Sequence, residues 1–175
     1  MSDVIPLDVG LLVLRVALGA LLAGHGLQKA FGWFRGPGVA AAGALFEQWG
    51  FRPGRVMVGL AALCEIVAAV LLVLGLLTPL AGAIVVGTMV VAATPTVVHG
   101  LWAARGGYEL PLVYAVLGAG LALTGPGGWS LDRHLGIPST SWAGGAAIVL
   151  GLLASLGPLS VRRSTLRQRT PAPAA

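Results

Sequence analysis

The chain has 175 residues, 57% of them hydrophobic and only 10% charged, with a mean hydropathy of +0.90. A soluble domain carries roughly a quarter charged residues, so this composition excludes an ordinary soluble protein and points to a membrane. The net charge of +5 comes from basic residues scattered between apolar runs, which excludes a clustered nucleic-acid face, and the single cysteine, Cys64, excludes a disulfide framework or a Cys-based metal site.

The first apolar run is Leu7–Leu27. No basic segment precedes it and no obvious cleavage site follows it, so it reads as a retained span rather than a signal peptide. The connection after it is not simply polar. Val39, Ala42, Phe46 and Trp49 fall at helical spacing while Glu47 and Gln48 face elsewhere, and Phe31, Trp33 and Phe34 come just before. This pattern predicts a short helix lying in the inner interface.

The second run, Val56–Leu77, is long enough to span about 30 Å of hydrocarbon as a helix. Glu65 is its only charged residue. An ionised carboxylate at that depth must face protein or water, find a partner, or carry a proton. Thr78-Pro79 turns the chain tightly into a third run, Leu80–Val98, which His99 closes. The fourth covers Leu110–Thr124, or 108–124 once Glu109 is drawn to the membrane edge. Next comes the turn Gly125-Pro-Gly-Gly-Trp-Ser-Leu-Asp132, where Asp132 can cap or hydrogen-bond the loop. The fifth run, Trp142–Val161, is rich in Gly and Ala and carries Pro158. From Arg162 the chain is basic and then Pro/Ala-rich, which predicts a flexible cytoplasmic tail over 162–175.

The expectation is therefore an all-α, polytopic membrane protein, a single transmembrane helical domain over 1–161 with five spans. Positive charge supports this count. With the amino terminus outside, Lys29, Arg35, Arg52, Arg55, Arg105, Arg162, Arg163, Arg167 and Arg169 lie inside, and only Arg133 lies outside. Trp102, Tyr108, Trp129 and Trp142 fall at span ends, where aromatic belts belong.

Depth sorts the ionisable residues into two layers. Arg15 lies about eight residues into its run from the outer side and Glu65 about ten from the inner side, roughly 12 and 15 Å at a helical rise. The two reach similar depth, so an Arg15–Glu65 pair is expected. It either locks two helices or lines a cavity that holds a polar head group, such as a quinone's, or relays a proton. The second layer is His25 and Lys29, four apart on one helix face, with His99 and Glu109 near the same membrane face. Such a cluster can exchange protons with a bound redox ligand, whereas the plainer roles are snorkelling for Lys29 and backbone-bonded histidines. Two histidines on separate helices could ligate a haem, but nothing in their spacing requires it. No dinucleotide fingerprint, phosphate-cradling loop, metal-spaced motif or hydrolase elbow is present, so no catalytic residue is assigned and no cofactor is evident.

Three stretches, LLVLRVALGALLAGHGLQKAFGWF, GLAALCEIVAAVLLVLGLLTPLAG and GGYELPLVYAVLGAGLALTGPGGWSLD, resemble the DoxX family of small integral membrane proteins. Arg15, the His25-Gly26 to Lys29 stretch, the Glu65 helix, Glu109 and the GPG…SLD close carry the likeness, from about Leu11 to Asp132. The resemblance implies a four-helix transmembrane bundle, to which this chain adds a fifth transmembrane helix and a basic tail. It also implies a link to membrane oxidoreductase systems, similar to the small membrane subunit of thiosulfate:quinone oxidoreductase. The functional expectation is a membrane subunit of a redox system in the cell membrane, with quinone as ligand and soluble oxidoreductase subunits as partners. The alternatives are a scaffold that anchors enzymes through its tail and interfacial helix, and a small proton-linked transporter. Nucleic acid is not expected as a partner, and the oligomeric state stays open.

Overall fold

The computed structural model describes residues 4–169 and is all-helical across them. α1 (Val4–Phe31) ends where Gly32 adopts a left-handed conformation, with φ 73°. After a single 3-10 turn comes α2 (Gly38–Gln48), the short helix that the spacing predicted. α3 (Gly54–Leu74) stops at Gly75, whose φ of 62° lets Leu76 N–H reach back to the Leu71 carbonyl in a Schellman closure. α4 (Thr78–Ala93) follows at once, with Pro79 in its first turn. α5 (Glu109–Thr124), the short α6 (Leu131–His134) and α7 (Ser141–Arg169) complete the chain.

Among the described residues three helices, α1, α3 and α7, are long and apolar enough to cross a membrane. This overturns the expected four-helix transmembrane bundle with a fifth span. α4 and α5 have 16 residues each, about 24 Å of helix against a hydrocarbon core of about 30 Å. The third apolar run was read to Val98, but Pro95 removes a donor from the ladder after Ala93. The Thr94 and Thr96 hydroxyls then donate to the carbonyls of Val91 and Ala93 and satisfy the frayed end. α5 is confined between the left-handed Gly106 and the Gly125-Pro126 break. The expected tail is also altered: residues from Arg162 continue α7 to Arg169, while 170–175 lie outside the described residues.

The core is shared by α1, α3, α4 and α5, where Leu18, Leu22, Leu72, Ala81, Val85 and Leu121 meet. α7 packs outside this group, against α4 and α5. Small residues set the closest approaches: Gly87 of α4 meets the backbone of Gly151 of α7, so neither position has room for a Cβ. Large aliphatic side chains stay exposed along α1, α3 and α7, among them Val13, Leu63, Val70, Leu150 and Leu153. An apolar belt of such exposed side chains suits lipid, and with three long apolar helices the protein is a multi-pass membrane protein. At one end of the helices α1 ends, α3 begins and α7 ends, and Lys29, Arg35, Arg52, Arg55, Arg105, Arg162, Arg163, Arg167 and Arg169 gather there. The opposite end is built by Asp8, the α3–α4 turn and the loop over 125–140.

Candidate functional site

α1 and α3 run antiparallel in close contact, and their glycines set the register. A Cβ on Gly19 would meet the Ala69 carbonyl and Val73, and one on Gly26 would meet the Ala62 carbonyl and Ile66. Glu65 therefore lies level with the last turns of α1. There Lys29 reaches across and places its ammonium 2.7 Å from both carboxylate oxygens of Glu65. The Glu65 side chain is 4% exposed and that of Lys29 23%, so the carboxylate is sealed while its partner keeps some access.

The expected Arg15–Glu65 pair does not form. The same register sets Arg15 opposite Gly75, about 15 Å along the helix from Glu65 at a helical rise. Depth counted from predicted span ends misses this, because α1 begins at Val4 and overhangs the end of α3. Arg15 is fully buried there and donates to the Leu72 carbonyl at 3.3 Å and the Trp129 carbonyl at 2.5 Å, while its Nε has no partner.

Beside it, Asp132 is a structural acceptor reached through the fold. Leu77 precedes α4 and its side chain cannot cap it, so the helix's first N–H groups need an outside acceptor. Asp132 supplies it, accepting from Leu77 N at 2.7 Å and from Thr78 N and Oγ1 at 3.0 Å each. Asp132 N–H in turn donates to the Gly75 carbonyl at 2.9 Å, which ties the loop to the turn.

The inner layer is not one cluster. His25 stands edge-on to Tyr114 of α5, with ring centroids 5.8 Å apart. Lys29 is engaged by Glu65. His99 is exposed in a 3-10 turn, and the Glu109 carboxylate accepts from Ala103 N at 2.8 Å, fastening the connection before α5. Among the described residues no group of three or more His, Cys, Asp or Glu side chains is gathered as a metal site needs.

Lys29 and Glu65 both line a cavity of about 520 Å³ between α3, α4 and α7. Its walls are mostly aliphatic, from Met57 and Leu60 on α3 through Ile84 and Val91 on α4 to Ala154 and Pro158 on α7. Phe46, Trp49 and Phe51 add an aromatic part to the lining. Lys29, Glu65, Cys64, Thr88 and Ser155 are the polar groups on its surface. The volume and the balance of apolar wall to a few polar groups match a site for a small organic ligand. The sequence named Glu65 and Lys29, but it did not reveal that these residues share a wall with α7.

The DoxX family profile matches residues 10–100, just over half of the chain. No curated protein and no solved structure matches it.

Proposed function

Since the chain belongs to the DoxX family, we propose that it is a membrane subunit of a redox system that binds a quinone in the cavity beside Lys29 and Glu65. The single observation that carries this reading is a buried ion pair on the wall of an otherwise apolar, ligand-sized cavity. An ammonium has three N–H donors, and the Glu65 carboxylate engages at most two of them. Lys29 thus keeps donor capacity for a carbonyl oxygen of a head group, while the aliphatic walls suit an isoprenoid chain.

A quinone supplies two-electron, two-proton chemistry when bound. The residues of this chain do the rest: Lys29 donates and orients, Glu65 holds Lys29 in place and can take up a proton, and the walls exclude water. Electrons come from a soluble oxidoreductase partner at the basic end. That end lies in the cytoplasm and the amino terminus outside, following the positive-inside bias.

The test is quinone binding by the purified protein in nanodiscs, read by tryptophan quenching with a short-chain ubiquinone. Glu65→Gln and Lys29→Met should each weaken binding about tenfold or more, the value of a hydrogen bond to a charged group. Absence of binding by the wild type, or binding as tight in both variants as in the wild type, sinks the proposed site. A scaffold role is favoured by a different observation, the contact between α7 and α2. Arg162 and Arg169 donate to the carbonyls of Trp49, Gln48 and Glu47 and build a rigid basic face.

A further inference from the structure

The cavity has an open side, and the packing of the helices says where it leads. α4 packs against both α3 and α7, whereas among the described residues α3 and α7 share no extended contact. A groove therefore runs along α4 with α3 on one bank and α7 on the other. Its rims are Leu60, 46% exposed, and Leu150, 64% exposed, both part of the apolar belt. Hydrocarbon, not water, lies against such rims in a membrane.

Where α2 meets α7 the lining turns aromatic. Phe46, Trp49 and Phe51 form an aromatic floor, with ring centroids of Phe46–Trp49 at 5.6 Å and Phe46–Phe51 at 5.7 Å. α7 bolts onto this floor. Arg162 Nε donates to the Trp49 carbonyl at 3.0 Å, and its guanidinium lies 5.9 Å from the Phe51 ring centroid. Arg169 donates to the Gln48 carbonyl at 3.0 Å and the Glu47 carbonyl at 2.6 Å. These carbonyls lie at the C-terminus of α2, where the helix ladder leaves acceptors free and the helix dipole favours cations; the Glu47 carbonyl also accepts from Gly50 N–H at 3.1 Å.

The position of α7 is equally set in the middle of the groove, where Gly151 lies against Gly87 and the Ala83 carbonyl. The side chains next to Gly151 that face the groove are small, Ala154 and Ser155. Both lie outside the segment that the family profile matches.

We propose that the groove between α3 and α7 is a lateral port through which a chain-bearing lipid passes directly from the hydrocarbon layer into the cavity, and that Ala154 and Ser155 set the width it admits. The occupant is a single-chain isoprenoid lipid with a hydrogen-bond-accepting head group, and this part rests on the quinone reading above. The port itself does not, since access can be measured without any quinone.

Cys64, the only cysteine, lines the cavity and serves as the probe. In proteoliposomes a lipid-soluble maleimide should label it, and a charged, membrane-impermeant methanethiosulfonate presented on both faces should not. Ala154→Phe should slow the maleimide several-fold, with Ala154→Ser labelling at the wild-type rate. Equal labelling after denaturation and an unchanged gel-filtration profile show that Ala154→Phe has folded. Arg162→Ala combined with Arg169→Ala should admit the charged reagent by opening the floor.

Three results overturn the port: rapid wild-type labelling by the charged reagent, no maleimide labelling until denaturation, or an unchanged rate in Ala154→Phe. Protection of Cys64 by a short-chain ubiquinone identifies the occupant. Labelling without protection leaves the port standing and removes the quinone.

Discussion

Lys29, in the last turn of α1, grips both oxygens of Glu65, a residue 36 positions away and buried in the middle of α3. The pair joins the two helices and also forms part of a cavity wall. Its two possible duties, holding helices and holding a ligand, separate by measurement.

The first prediction concerns stability. Removing one partner leaves the other charge buried without compensation, so Lys29→Met should destabilise the protein by about 3 kcal/mol. Replacing both, as Lys29→Met with Glu65→Gln, should restore most of that loss, because no lone charge remains. Thermal unfolding in detergent, arranged as a double-mutant cycle, gives the coupling. Simple addition of the two single effects would show that the residues do not act as a pair.

Asp132 should behave as the missing cap of α4. Asp132→Ala takes the acceptor from two backbone N–H groups and the Thr78 hydroxyl at once. The loss should be about 2 kcal/mol, at the upper end for a helix cap, and Asp132→Asn should lose less because one acceptor oxygen stays. The unfolding midpoints of the two variants decide this. Identical midpoints for Ala and Asn would remove Asp132 from that role.

Glycine substitutions should divide by location. Gly75 has φ 62°, and a Cβ there would run into the Arg15 guanidinium. Gly75→Ala should therefore destabilise by more than about 1 kcal/mol, the ordinary penalty of left-handed backbone, because the buried guanidinium must also move. Gly59, inside α3, has nothing within 4 Å of its would-be Cβ. Gly59→Ala should be neutral or stabilise by about 0.5–1 kcal/mol through helix propensity. Unfolding of the two variants side by side is the check.

The redox and scaffold readings part at the end of α7. Truncation before Arg162 removes the donors to Trp49, Gln48 and Glu47. The scaffold reading expects this truncation to lose soluble partners in a crosslinked pull-down while Glu65→Gln retains them. The redox reading expects Glu65→Gln to lose quinone binding while partners stay attached.

Much of the molecule was legible because its cause is local. The apolar runs, the helical spacing of Val39, Ala42, Phe46 and Trp49, and the break at Thr78-Pro79 are all properties of neighbouring residues. The candidate residues Glu65 and Lys29 stood out because charge in or beside an apolar run has few acceptable surroundings. The number of spanning helices was misjudged for a local reason as well. Hydropathy continues past Ala93, but the hydrogen-bond ladder does not continue past Pro95.

Partner choice was of another kind. Depth counted from the ends of the apolar runs pairs Glu65 with Arg15 and sets Lys29 in a separate inner layer. The actual partner follows from register, because Gly19 and Gly26 of α1 meet the backbone of α3 and bring Lys29 level with Glu65. That same register buries Arg15 under the Trp129 carbonyl. Nor could the sequence show that α7 stands across a groove from α3, since the two are brought together only by packing on α4. The sequence by itself determined an all-helical membrane protein with charge stranded in apolar helices, because hydropathy and helix period act over a few residues. The tertiary structure alone decided which charges meet and which walls enclose them, because contact between helices depends on how closely their backbones can approach.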